Sequence, residues 1–172
     1  MSLNRHYGWV MLSATAIGLQ CIFTGYTVPM KARAKVFGKE FMEANFGEIH
    51  KNEVGGTPSN LGYPDMGSGK YAEKLPYKDW YYLNNAMRAH YHFVEQVGVV
   101  IPLNLMAGLS APIPAAVLGF LFFGGHLMYT QGYTSGGPKG RENGAKAAGL
   151  AFGGLAGLSI YSAIRLLRYA KF

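Results

Sequence analysis

Arg88, His90, His92 and Glu95 fall within eight residues in the segment Asn84-Asn-Ala-Met-Arg-Ala-His-Tyr-His-Phe-Val-Glu95, which continues into an apolar run. Ionisable groups inside a membrane-spanning segment are costly and default to functional roles. At about 100° per residue on a helix, Asn84, Arg88, His92 and Glu95 share one stripe while His90 points nearly the opposite way. The stripe therefore offers a cation, an anion and two hydrogen-bonding groups, the set that a small zwitterion or a buried polar network requires. An ion pair of Arg88 with Glu95 that only holds helices together is the structural alternative. His90 and His92 diverge by about 200° and cannot chelate one ion from a single helix, so no metal site is expected.

The elements that must carry this stripe are read from charge-free runs. Tyr7 to Met30, Val97 to Tyr129 and Ala147 to Ile164 contain no charged residue. About 20 apolar residues cross a bilayer, so the middle run is too long for one crossing. Ser110-Ala-Pro112-Ile-Pro114 divides it, with Pro112 near a helix start. The expectation is an all-α integral membrane four-helix bundle forming one domain over 1–172, with helices at about 7–30, 80–108, 112–133 and 144–168 and a long polar loop at 31–79. Within that loop, Phe37 to Ile49 suits a short surface helix, whereas Gly55 to Gly69 is rich in turn residues and should be irregular. Tyr77 to Tyr82, with Trp80, suits an aromatic interface belt. A soluble bundle would show polar stripes on every helix, and helices one, three and four lack them.

Four crossings place both termini on one side and loops one and three on the other. Loop one carries Lys31, Arg33, Lys35, Lys39, Lys51, Lys70, Lys74 and Lys78, and loop three carries Lys139, Arg141 and Lys146. The terminal side has only Arg5, Arg165, Arg168 and Lys171, so the positive-inside rule puts the two loops in the cytosol or the mitochondrial matrix. The net charge of +7 is then explained by topology and anionic lipid, and no motif of a nucleic-acid reader accompanies it. The first helix reads as a retained signal anchor, being too long for a signal peptide and lacking a cleavage pattern. The single cysteine, Cys21, excludes an intramolecular disulfide and suits packing. Gly149, Gly153 and Gly157 leave one face of helix four without side chains, for close contact either within the chain or with another subunit.

The string Arg88-Ala-His90-Tyr-His92-Phe-Val-Glu95, preceded by Asn84, resembles the MAPEG family of membrane glutathione enzymes, and most closely its third type of microsomal glutathione S-transferase. That type carries Asn-x-x-x-Arg-Ala-His-x-Asn-x-x-Glu on its second helix, so His92 stands in place of an asparagine. Tyr7-Gly8, Lys31-Ala32-Arg33, Tyr63-Pro64, Tyr129-Thr-Gln-Gly132-Tyr133, Pro138 and Arg141 follow the family order, with an insertion in loop one. The resemblance implies a homotrimer in the endoplasmic reticulum or mitochondrial membrane that binds glutathione between subunits. Arg33, Arg88, His92 and Glu95 would hold the tripeptide's charged ends, Tyr129 and Tyr133 would line the pocket, and Arg141 would activate the thiol.

The chemistry suits these residue types. Glutathione has two carboxylates for guanidinium forks and an ammonium for Glu95, and a fixed cation favours its thiolate, the nucleophile. The implied activity is a glutathione transferase or glutathione-dependent peroxidase acting on lipophilic electrophiles or lipid hydroperoxides. The alternative is a non-catalytic subunit or scaffold of a larger membrane complex, suggested by His92 and the insertion. Arg33 as an interfacial anchor, Tyr129 and Tyr133 as belt aromatics, and His126 as a hydrogen-bonded packing residue are the corresponding structural readings. His126 also occupies the place of an arginine in the third-type pattern. Two geometric expectations follow: Arg88 and Glu95 face the bundle interior or a subunit seam, and Arg141 reaches the cavity of Arg33 and Tyr133.

Overall fold

Pro29 divides the first apolar run. Proline lacks an N–H and its ring suits only the first turn of a helix. Accordingly α1 spans Tyr7–Thr27, short of the expected residue 30, and α2 starts at Pro29 and ends at Val36. The computed structural model describes residues 4–169, so Lys171 lies outside the described residues. After α3 (Lys39–Glu53) comes an irregular segment with one 3-10 turn at Ala72–Lys74, then α4 (Tyr77–Gly108), α5 (Pro112–Gly140) and α6 (Glu142–Tyr169). The segment 31–79 therefore holds most of α2 and all of α3, and α5 continues past residue 133. The runs Tyr7–Val36, Pro112–Gly140 and Glu142–Arg168 are long and apolar enough to cross a membrane. The polar stripe of α4 keeps that 32-residue helix out of this set.

The described residues form two compact units, 4–23 with 92–169, and Thr24–Tyr91. In the first, Val10, Ile17, Phe93, Val100, Phe122 and Leu155 are fully buried in one core that also takes Cys21. Several polar side chains here donate hydrogen bonds within the unit, as groups in a bilayer must find protein partners. Asn104 Nδ2 donates to Ser13 Oγ at 2.8 Å, Ser159 Oγ donates to the Leu103 carbonyl at 2.7 Å, and Gln20 Nε2 donates to the Phe123 carbonyl at 3.0 Å.

Helices α5 and α6 meet along a seam of small residues. A Cβ on Gly125 would fall 2.6 Å from the Ala148 nitrogen, one on Gly144 would meet the backbone of Tyr129, and Gly132 and Gly140 face each other backbone to backbone. This corrects one of the two expectations for Gly149, Gly153 and Gly157. Those three are exposed, and a Cβ added at any of them would meet nothing within 4 Å, so the close contact within the chain uses the other face of α6.

In the second unit, Phe37, Phe41, Phe46 and Tyr71 form an aromatic cluster, with Phe46 and Tyr71 centroids 4.6 Å apart. This cluster, with buried Met42, anchors α3, whose other face is charged and exposed. Tyr77, Trp80 and Tyr81 are exposed, with Tyr77 stacked on the other two at 5.7 and 6.1 Å, as suits a belt at a water–lipid boundary.

Asp65 organises the irregular segment. Its Oδ1 accepts from the Gly67 and Gly69 N–H groups at 2.7 and 2.9 Å, and its Oδ2 accepts from the Ala72 N–H at 2.9 Å. Burial opposes the charged form, but these backbone donors outweigh it and hold the Asp65 carboxyl below its ordinary pKa. A depressed folded-state value means the stabilisation is fully present above the unfolded value of about 4 and is lost as pH falls through the folded value. Asp65→Asn keeps one oxygen but turns an amide N–H₂ toward the Ala72 N–H. The expected result is a loss of about 1–3 kcal/mol and the disappearance of that acid dependence. Amide exchange of residues 67–72 as a function of pH measures both.

Candidate functional site

A chain reversal brings Arg141 back onto α5. The α5 span is interrupted at Gly137, whose φ of 65° and ψ of −154° are a conformation suited to glycine, and Pro138 follows. The chain turns there, Gly140 packs on Gly132, and Arg141 lands beside the two tyrosines that precede the turn. Arg141 Nη1 donates to the Tyr129 hydroxyl at 3.0 Å, and its guanidinium carbon lies 5.7 and 5.2 Å from the Tyr129 and Tyr133 ring centroids. Both tyrosines are buried, one helical turn apart, so they line a packed site and the belt reading does not hold for them.

His92 joins the same cluster. Its ring stacks on Tyr129 at 4.3 Å, its Nδ1 lies 3.4 Å from His126 Nε2, and its Nε2 lies 3.4 Å from Gln96 Nε2. His126 is fully buried and stacked on Phe93 at 3.8 Å, as a packing residue within hydrogen-bonding range of a neighbour should be. Glu95 sits one turn beyond His92 on α4, at the exposed surface. The first unit thus gathers His92, Tyr129, Tyr133 and Arg141. Its chemistry is that of a fixed guanidinium whose phenol partner retains its own proton to donate, suited to stabilising an anion in apolar surroundings.

In the second unit Arg33 is 1% exposed. It stands in the last turn of α2, where a cation is favoured by the helix dipole, and its Nη1 donates to the Asp65 carbonyl at 2.6 Å. The interfacial-anchor reading of Arg33 is thereby overturned. His90 turns away from the stripe and packs its ring against Gly25, where a Cβ would come within 2.9 Å of Nε2. Asn84 holds the irregular segment, donating to the Gly67 carbonyl at 2.8 Å.

Arg88 and Glu95 lie on the exposed side of α4. Both are exposed on the single chain, and neither faces its interior. The buried face of α4 is taken by Leu83, Ala86, Phe93, Val100 and Ala107, which recur at helical spacing on another side.

Sequence reasoning missed Asp65 and the role of Tyr63, whose ring lies 3.9 Å from the Arg33 guanidinium carbon. In the sequence, Tyr63-Pro64 carries a signal only as part of a family pattern. Among the described residues no group of three or more His, Cys, Asp or Glu could hold a metal ion. The sequence profile of the MAPEG family matches residues 9–161. No curated protein and no solved structure matches the chain.

Proposed function

The chain belongs to the MAPEG family, matched over residues 9–161, and from that premise we propose that it is a membrane glutathione transferase, with peroxidase activity toward lipid hydroperoxides. The reading is that of the third type of microsomal glutathione S-transferase, a four-crossing subunit of a homotrimer in the endoplasmic reticulum or mitochondrial membrane. The observation that carries it is the Arg141 guanidinium fixed at 3.0 Å from the Tyr129 hydroxyl, with Tyr133 and His92 around it. A thiol of pKa about 8.5 is mostly protonated at neutral pH, and a fixed cation beside it favours loss of the proton to solvent. The thiolate then attacks an electrophilic carbon, forming the C–S bond as the leaving group departs with its electron pair. With a hydroperoxide, the thiolate takes the terminal oxygen and leaves an alcohol. A second glutathione converts the resulting sulfenic acid to a disulfide and water.

Arg33 and Arg88 are assigned the carboxylates of glutathione, Glu95 its ammonium, and His92 a hydrogen bond. Trimer formation is supported by the exposure of Arg88 and Glu95, since a charge such as Arg88 left against acyl chains costs at least about 2.5 kcal/mol. The anchored α3 insertion favours a second reading, a non-catalytic subunit of a larger complex. Glutathione titration of the protein in lipid nanodiscs decides. The transferase reading predicts saturable binding at millimolar ligand or below, weakened about tenfold or more by Arg88→Ala or Glu95→Gln, the order expected for a charged hydrogen bond. No binding in the wild type establishes the scaffold reading instead.

A further inference from the structure

Arg33 is a buried cation with an unused edge. A guanidinium has five N–H donors. One, on Nη1, is used by the Asp65 carbonyl, while among the described residues Nε and Nη2 have no hydrogen-bond partner. Leaving charged donors buried and unpaired is expensive. The two atoms belong to one side of the planar fork, where parallel N–H groups meet both oxygens of a carboxylate.

Two rings lie against this guanidinium. Phe37 is fully buried at 5.7 Å, whereas Tyr63 at 3.9 Å is 46% exposed. The hydroxyl of Tyr63 donates only to Met30 Sδ at 3.3 Å, a weak acceptor. Tyr63 follows Gly62, which has φ of 63° and whose missing Cβ leaves room for the Phe37 ring, and the turn is closed by the Asp65 N–H donating to the Gly62 carbonyl at 2.9 Å. The contact facing solvent is therefore a single ring on a glycine-based turn, held by a cation–π contact and one weak hydrogen bond. The other attachments of Arg33 are deep in the unit.

We propose that Tyr63 is a movable cover over a carboxylate seat formed by the Nε and Nη2 edge of Arg33. With the ring in place the cation is stabilised by its quadrupole. When the ring swings out, the fork is presented to an entering carboxylate, whose two hydrogen bonds replace the cation–π contact. The chemical class follows from the fork: a planar oxyanion small enough to enter beside Asp65. That this carboxylate belongs to glutathione rests on the function proposed above.

Site-resolved labelling of arginines with phenylglyoxal, on the full chain in nanodiscs, tests the cover. Exposed Arg165 serves as the internal reference. Arg33 of the wild type should label far more slowly than Arg165. Tyr63→Ala should raise the Arg33 rate about tenfold, the order expected for losing a cation–π contact, and Tyr63→Phe should leave it nearly unchanged. Acetate should protect Arg33 in Tyr63→Ala. Protection by acetate but not by glutathione upholds the seat and refutes the glutathione assignment. If Tyr63→Ala loosens the whole unit, seen as faster amide exchange in α3, Tyr63→Leu decides, because it keeps bulk and removes the ring. An Arg33 rate unchanged by Tyr63→Leu with α3 intact, or a wild-type Arg33 as reactive as Arg165, overturns the cover.

Discussion

Arg141→Ala is expected to remove most of the glutathione thiolate formed at neutral pH while leaving glutathione affinity within a few-fold of the wild type. An opposite charge within a few ångströms lowers a titrating group by about 1–3 pK units, each worth about 1.36 kcal/mol, so its loss should cost about tenfold or more in thiolate and in turnover. Affinity should survive because the carboxylates and ammonium of the tripeptide are assigned to other side chains, Arg33, Arg88 and Glu95. Two further substitutions separate charge from geometry. Tyr129→Phe removes the hydroxyl that accepts from Nη1 at 3.0 Å but leaves the cation over both rings, so its effect should be smaller. Arg141→Lys keeps the charge and loses the planar fork, giving partial activity. Ultraviolet absorbance of the bound thiolate reports the result. Equal absorbance in wild type and Arg141→Ala would remove Arg141 from the mechanism.

The parts of this site that were legible in the sequence depend on periodicity. Tyr129 and Tyr133, four apart on one apolar helix, had to share a face, and so did Arg88, His92 and Glu95. Pro112 marked a helix start because proline's missing N–H has few other places, whereas Pro29, which also opens a helix, was read through as part of the first apolar run. Arg141 was recognisable by its order after Tyr133, yet its position against Tyr129 depends on the reversal at Gly137, which no helical pattern announces. The least legible part is the second unit's irregular segment. Gly62 and Tyr63 lie in a turn closed by one backbone hydrogen bond and Asp65 gathers three backbone N–H groups, contacts that have no repeat to read. Which side of the stripe would be buried was also hidden, since a polar face in a membrane helix can be satisfied by the same chain or by a neighbour. Arg88 and Glu95 lie on the exposed side of α4, a placement that periodicity alone does not choose.

The same ambiguity governs the glycines of α6, and there a paired substitution separates the two faces. Gly144→Ala places a methyl on the backbone nitrogen and Cα of Tyr129 and near the Gly125 carbonyl, none of which is the end of a flexible side chain. The helices must part, at the cost of about 1–3 kcal/mol or more typical of overpacking. Because the displaced residue is Tyr129, the phenol that fixes Arg141 moves with it. Thermal stability and thiolate formation should therefore fall together. Gly149→Ala adds the same methyl where nothing lies within 4 Å, and alanine is favoured over glycine in a helix by up to about 1 kcal/mol. The fold should be unchanged or slightly stabilised. If the Gly149, Gly153 and Gly157 face is a subunit seam, the oligomer alone should weaken. Melting in detergent followed by tryptophan fluorescence, with mass measured by light scattering, gives both quantities for each variant. A Gly144→Ala protein that melts with the wild type would show that α5 and α6 do not meet along this seam, and with it would go the account of how Arg141 is held.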